Sequence, residues 1–90
     1  MIELSDEMLA ELSYVQISTY RTKAMKSLDD DVKMPTQIAE ASGIRTKHIS
    51  NVLRQLKEHK LVECINPEVK KSRLYRLTDK GEELIDSITH

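Results

Sequence analysis

Three side chains that could read DNA bases recur at helical spacing in the middle of the sequence. Lys47, Asn51 and Arg54 are four and three residues apart, which places them on one face if residues 46–59 form a helix. An asparagine amide can pair with adenine, and lysine or arginine with guanine. The spacing therefore predicts a surface suited to the major groove of DNA.

The opposite side of the same segment is apolar. The apolar side chains on this side are Ile49, Val52, Leu53 and Leu56, which are separated by three, one and three residues along the chain. This stripe predicts that the helix packs on a core with one face and leaves the polar face exposed.

A shorter helix and a sharp turn are predicted immediately before this segment. Ile38 and Ala39 supply a small buried face, and Gly43 stands where a left-handed turn suits glycine. We expect Thr36 to be the N-cap of the shorter helix and a DNA contact. Residues 35–54 therefore predict a helix-turn-helix.

Further candidate DNA contacts flank the predicted reading face or begin its helix. Arg45 and Thr46 are expected at the helix start, where the dipole favours phosphate, while His48 and Ser50 border the face. Plain solvent exposure is the alternative interpretation for each of these polar side chains.

Two strands, residues 61–65 and 73–77, are predicted to form a hairpin. One register sorts apolar and charged partners onto separate faces: Val62 with Leu77, Cys64 with Tyr75, and Glu63 with Arg76. In this register Ile65 and Leu74 share the charged face, so other parts of the chain must partly cover them. Tyr75 is expected to pack in the core.

The loop of this hairpin, residues 66–73, is basic. Lys70, Lys71 and Arg73 lie near its tip and are predicted to contact phosphates or the minor groove of flanking DNA. The alternative is a charged loop that keeps an edge strand soluble.

Serine or threonine N-caps predict three further helices, which begin after Ser5, Ser18 and Thr78. The first ends where the periodicity breaks at residues 14–17, the second runs to residue 28, and the last covers residues 79–90. Their expected inward side chains are Met8, Leu9 and Leu12, then Ala24, Met25 and Leu28, then Leu84, Ile85 and Ile88.

The order of these elements predicts a fold that is mainly α with a small β-hairpin, an α+β winged helix-turn-helix. We expect a single domain over residues 1–90. It would comprise an N-terminal extension with a short extra helix (1–17), a core and wing (18–78) and a C-terminal helix (79–90).

Charge is divided unevenly along the chain, although the formal net charge is only −1. Residues 1–44 hold four basic and eight acidic side chains, a net −4, whereas residues 45–76 hold nine and three, a net +6. The positive segment includes the predicted reading helix and hairpin, where a phosphate-binding surface needs local positive potential.

Other functional classes find little support in the residues. We expect no enzyme, because the sequence has no glycine-rich phosphate loop and no adjacent nucleophile and base. We also expect no cofactor, metal or evident small-molecule ligand, since the one cysteine, Cys64, is not at a ligand-pair spacing from any histidine and is more simply a small buried hydrophobe. No apolar run approaches a membrane span, so a cytoplasmic protein is predicted.

Five ordered runs together resemble the small archaeal winged-helix transcription regulators related to the MarR and ArsR groups. They are Pro-Thr-Gln-Ile-Ala (35–39), Gly-Ile (43–44), His-Ile-Ser-Asn-Val-Leu-Arg-Gln-Leu-Lys (48–57), Leu-Val-Glu-Cys (61–64) and Arg-Leu-Tyr-Arg-Leu-Thr-Asp-Lys-Gly (73–81). Val15, Ser18, Tyr20 and Arg21 also resemble the start of the first core helix of that family. The resemblance implies a sequence-specific regulator that binds double-stranded DNA.

We expect a homodimer on a two-fold-related operator, and two questions stay open at the level of sequence. Apolar residues in 1–17 and 82–90, Ile2 and Leu4 among them, either form a homodimer interface or simply cover the core. The alternative function is a winged-helix module that binds proteins in a larger assembly without specific DNA binding.

Overall fold

A computed structural model describes residues 5–89 of the chain, which form five helices and a two-stranded hairpin. The elements in chain order are α1 Asp6–Gln16, α2 Thr19–Ser27, α3 Pro35–Ser42, α4 Thr46–Glu58, β1 Val62–Cys64, β2 Tyr75–Leu77 and α5 Asp79–Thr89. The α+β winged helix-turn-helix prediction is therefore confirmed.

Serine side chains cap the first two helices as predicted. The Ser5 hydroxyl accepts from the Met8 amide and the Ser18 hydroxyl from the Arg21 amide, each at 3.2 Å. The helix α1 ends at Gln16, within the break predicted at residues 14–17, and it buries Val15 completely. Burial at Met8 and Val15 sets the inward face, so Leu9, predicted inward, points outward and is 48% exposed.

The predicted N-cap of α3, Thr36, is wrong. Met34 holds that position, Pro35 follows at the first helical position, and Thr36 is an exposed residue of the first turn. Proline suits the first position because its fixed φ matches the helix and its missing N–H has no partner to lose. The Gln37 side chain closes the turn, since its Oε1 accepts from the Met34 amide at 2.9 Å.

The turn between α3 and α4 follows the prediction. Gly43 has φ of 71°, in the left-handed region, and the Ile44 amide donates to the Ala39 carbonyl at 3.0 Å. Ile44 is buried, and four side chains of α4 are buried behind it, namely Ile49, Val52, Leu53 and Leu56. The apolar stripe thus lies in the core as expected.

The C-terminus of α4 forms a closed turn on a non-glycine residue. Lys60 has φ of 59°, its amide donates to the Lys57 carbonyl at 2.9 Å, and the Leu61 amide donates to the Leu56 carbonyl at 2.9 Å. This pair of bonds is a Schellman motif, which satisfies the last carbonyls of the helix and turns the chain into β1.

The hairpin has the predicted register: Val62 opposite Leu77, Glu63 opposite Arg76, and Cys64 opposite Tyr75. On its charged face, Arg76 Nε donates to Glu63 Oε1 at 2.7 Å, and Ile65 is 41% exposed, so the expected cover for Ile65 is incomplete. Cys64 is half-buried, not buried as expected, whereas the half-buried Tyr75 packs against the core as predicted.

A third extended segment, which the sequence did not indicate, joins the hairpin. Lys33 and Tyr75 exchange two backbone hydrogen bonds of 3.1 and 2.9 Å in an antiparallel bridge. This bridge ties the segment before α3 to β2, so the helix-turn-helix and the hairpin are held in one arrangement.

The last helix packs closely on the chain that leaves α4. Thr78 caps it as predicted, because its hydroxyl accepts from the Gly81 amide at 3.0 Å and donates to the Lys60 carbonyl at 2.7 Å. Leu84 and Ile85 are fully buried, and Ile88 packs at the edge of the core. A Cβ at Gly81 would lie 2.1 Å from the Leu61 carbonyl oxygen, so α5 can approach this closely only with glycine there.

We therefore expect Gly81→Ala to lower the free energy of unfolding by about 1–3 kcal/mol, because backbone must move to admit the methyl group. Urea denaturation measures the change. Gly43→Ala is the matched control: its Cβ has nothing within 4 Å, and its cost of about 1 kcal/mol comes from φ alone. A Gly81→Ala protein as stable as the wild type would contradict the close packing of α5.

Candidate nucleic-acid interface

The exposed side of α4 is polar over three turns. Lys47, Asn51 and Arg54 are all exposed there, as predicted, and Glu58 continues the row one turn later. Because buried residues occupy the other side of the helix, these four side chains face away from the core.

Side chains on this face contact one another. Arg54 Nη2 donates to Asn51 Oδ1, and Arg54 Nη1 lies 3.8 Å from Glu58 Oε1. Sequence reasoning did not single out Glu58, although its position four residues after Arg54 was a usable signal. The row therefore contains three side chains that can donate hydrogen bonds and one acidic side chain.

The two flanking residues predicted from sequence lie on opposite borders of the face. His48 lies toward α2, where its ring contacts Tyr20 with centroids 5.7 Å apart. Ser50 lies on the other border, toward the hairpin. Arg45, the N-cap of α4, and Thr46, its first residue, are exposed at the helix start as expected.

A cleft separates α4 from the hairpin loop and gathers the remaining predicted residues. It has a volume of about 570 Å³, and its lining includes Thr36, Ser50, Lys70, Lys71 and Arg73. Although Thr36 is not a cap, it lies beside this cleft with its side chain exposed. The fold thus places the first turn of α3, the middle of α4 and the loop around one positively charged opening.

The loop between the strands is braced from within by Asn66, which sequence reasoning missed. Asn66 Oδ1 accepts from the Leu74 amide at 2.8 Å, and Nδ2 donates to the Ser72 carbonyl at 3.2 Å. Asparagine at a strand end often makes such turn contacts, so its type and position were a usable signal. Arg73 Nε donates to the Val69 carbonyl at 2.7 Å, which draws its guanidinium toward its own loop. Lys70 and Lys71 are exposed.

A cluster of aromatic and charged side chains lies behind the C-terminal half of α4. The rings of Tyr14 and His59 stack with centroids 3.7 Å apart at 11°, and Arg21 Cζ lies 3.8 Å from the Tyr14 ring centroid. Arg21 also donates from Nη1 to the Tyr14 carbonyl at 2.9 Å and from Nε to Gln55 Oε1 at 3.2 Å. The cluster connects α1 and α2 to α4.

An ion pair completes the cluster. Glu11 Oε1 lies 2.9 Å from His59 Nδ1, and Glu11 Oε2 lies 3.3 Å from Lys80 Nζ. Burial alone would raise the pKa of Glu11, but its hydrogen bonds and charge interactions with His59 and Lys80 outweigh burial and lower that pKa below its ordinary value. Sequence gave no signal for this contact, because Glu11 and His59 are 48 residues apart.

The fold and the surface together define a winged helix-turn-helix protein, with α3 and α4 as the motif and the β1–β2 hairpin as the wing. The model of the HxlR-like helix-turn-helix family matches residues 21–90, so the chain belongs to that family. The MarR and ArsR resemblance thus identified the fold, and the family itself is HxlR-like. No curated protein has a significantly similar sequence.

Solved structures share the fold at low sequence identity. The homodimeric winged helix-turn-helix DNA-binding domain of a possible ArsR-family regulator from Mycobacterium bovis has a TM-score of 0.72 and 22% identity over 99% of this chain and 87% of that one. S. aureus MepR in complex with DNA has a TM-score of 0.71 and 22% identity over 92% and 70%. A MarR-family regulator from Silicibacter pomeroyi has a TM-score of 0.71 and 19% identity, with 93% of this chain spanning 62% of that one.

Residues 5–89 hold neither a candidate metal site nor a membrane-spanning helix. No group of three or more histidine, cysteine or acidic side chains is placed to hold a metal ion there. No helix in the same range is long and apolar enough to cross a membrane.

The ion pair at Glu11 predicts a pH dependence. Because the folded-state pKa of Glu11 is lowered, its contribution to stability is complete above its ordinary pKa of 4.5 and is lost as the pH falls through the lower folded value. Glu11→Gln should therefore cost about 1.5 kcal/mol at pH 7 and progressively less below pH 4.5. Urea denaturation of both proteins between pH 7 and pH 3 measures the difference.

Glu83→Gln is the matched control for that series, because Glu83 is exposed on α5. It should change stability little at either pH. A Glu11→Gln cost that stays constant down to pH 3 would contradict the proposed ion pair.

Proposed function

We propose that this protein is a sequence-specific transcription regulator that binds double-stranded DNA. The observation that carries the proposal is the exposed face of α4 beside the basic loop, across a cleft lined by residues of both. Membership of a helix-turn-helix family and the fold shared with a DNA-bound protein support it.

In this proposal α4 lies in the major groove, with Lys47, Asn51 and Arg54 against base edges. Their amide, ammonium and guanidinium groups match the acceptors of guanine and the paired donor and acceptor of adenine. His48 and Ser50 contact DNA at the two borders of the helix. Arg45 and Thr46 bind phosphate at its N-terminus, where the helix dipole favours an anion.

The wing, residues 66–73, contacts the backbone or minor groove of flanking DNA through Lys70, Lys71 and Arg73. These contacts are electrostatic and largely independent of sequence. Thr36 contributes from the other wall of the cleft, because its exposed hydroxyl can donate to phosphate.

We further propose that the protein acts as a homodimer on two related half-sites. The related Mycobacterium bovis domain is homodimeric, and Leu9 and Ile17, at and beside α1, are 48% and 80% exposed. Met8, Leu84 and Ile85, for which the sequence left open a dimer interface or cover for the core, are buried in the core. Ile2 and Leu4 lie outside the described residues. The cytoplasmic location and archaeal source stay predictions.

Substitutions should separate base reading from phosphate binding. We expect Asn51→Ala to weaken binding to the preferred duplex about tenfold while leaving binding to unrelated DNA unchanged. Lys71→Ala should weaken binding to all sequences alike and reduce the slope of log affinity against log salt by about 0.9. Fluorescence anisotropy at two or more salt concentrations measures both effects.

Lys26→Ala is the control, because this substitution removes the same charge from an exposed residue of α2 that does not line the cleft between α4 and the wing. Absence of duplex binding at low salt would refute the proposal, as would unchanged binding by the Arg54→Ala and Lys70→Ala double variant. Either result would favour a protein-binding module.

A further inference from the structure

Arg54 lies between two acceptors on the exposed face of α4. Its Nη2 donates to Asn51 Oδ1 on one side, and its Nη1 lies 3.8 Å from Glu58 Oε1 on the other. All three side chains are exposed, at spacings of three and four along the helix. They therefore form a continuous row across the surface proposed to enter the groove.

The contact with Arg54 gives the Asn51 amide a direction. A guanidinium has only donors, so it binds the oxygen end of an amide and leaves the amino end pointing away. Reading adenine requires the amide nitrogen to donate to N7 and the amide oxygen to accept from N6, so only one of the two amide orientations fits the base. Since Oδ1 has two lone pairs, it can accept from Arg54 and from adenine together.

Arg54 keeps enough donors to read a base itself. A guanidinium has five N–H groups, and one bond to Asn51 with a long contact to Glu58 leaves others for guanine O6 and N7. The surface pair with Glu58 is weak by itself, as exposed ion pairs are. The effect of Glu58 on DNA binding is larger than its effect on stability, because a carboxylate on this face repels DNA unless Arg54 lies beside it.

We propose that Asn51, Arg54 and Glu58 act as one reading unit, in which Arg54 sets specificity at the base pair of Asn51 as well as at its own. Arg54 sets the orientation of the Asn51 amide, and Glu58 lies beside Arg54 and disfavours sequences that give Arg54 no guanine. This inference rests on the proposed function, since it describes how the same surface selects DNA.

A double-mutant cycle on the duplex preferred by the wild-type protein tests the coupling. Asn51→Ala should weaken binding about tenfold in the wild-type background and less than about threefold in the Arg54→Ala background, because the amide has already lost its orientation. Substitution of the base pairs should show that Arg54→Ala loses preference at two adjacent positions.

Lys47 provides the control pair. It lies seven residues from Arg54 on the same face, so Lys47→Ala should have the same effect in both backgrounds. An Asn51→Ala effect that is equally large with and without Arg54 would overturn the reading unit. So would an Arg54→Ala protein that loses preference at one base pair only.

Glu58→Gln tests the acidic member. It should raise affinity for unrelated duplexes about threefold and lower the ratio of preferred to unrelated binding, while Glu83→Gln on α5 should leave that ratio unchanged. An unchanged ratio in Glu58→Gln would remove Glu58 from the unit.

Two outcomes distinguish the proposed function from the reading unit. A wild-type protein that prefers no duplex overturns the proposed function together with this inference. A wild-type protein with a clear preference, in which Asn51 and Arg54 act independently, overturns this inference alone.

Discussion

The burial of one stripe of α4 is the constraint on which the remaining structure depends. A helix turns by 100° per residue, so burying Ile49, Val52, Leu53 and Leu56 fixes its rotation about its own axis. Lys47, Asn51 and Arg54 then have no orientation other than outward. The left-handed turn at Gly43 determines the angle at which this helix leaves α3, so a backbone feature and an apolar stripe together present the polar face.

The wing and the cluster of aromatic and charged side chains behind α4 are both positioned relative to this helix. The Schellman turn at Lys60 leads directly into β1, the bridge at Lys33 ties β2 to the start of α3, and glycine at position 81 lets α5 close the back of the hairpin. Behind α4, the stack of His59 on Tyr14 and the bond from Arg21 to Gln55 connect it to the first two helices. These contacts hold the C-terminal end of α4, while the turn at Gly43 fixes its N-terminal end. A helix needs both if its side chains are to meet base edges in a fixed register.

Features that depend on neighbouring residues could be predicted from the sequence, and features that depend on distant ones could not. The serine caps, the turn at Gly43, the face of α4 and the register of the hairpin all follow from local spacing, and each was confirmed. Thr36 failed as a cap because Pro35 takes the first helical position and shifts the cap to Met34. The Lys33 bridge and the Glu11–His59 contact are fixed by tertiary packing, which no local pattern encodes. For the interface, residue types indicated the face, but the contacts of Arg54 with Asn51 and Glu58 required coordinates.

Selection from a random library of duplex DNA, followed by sequencing, tests the central claim most directly. If α4 reads bases while the wing holds flanking phosphates, the intact protein should enrich one short sequence. If it also acts as a homodimer, that sequence should appear twice with two-fold symmetry, its centres about one helical turn apart. Enrichment of a single unpaired site would contradict the dimer, and a library that emerges unchanged would contradict the proposed role of α4 in reading DNA.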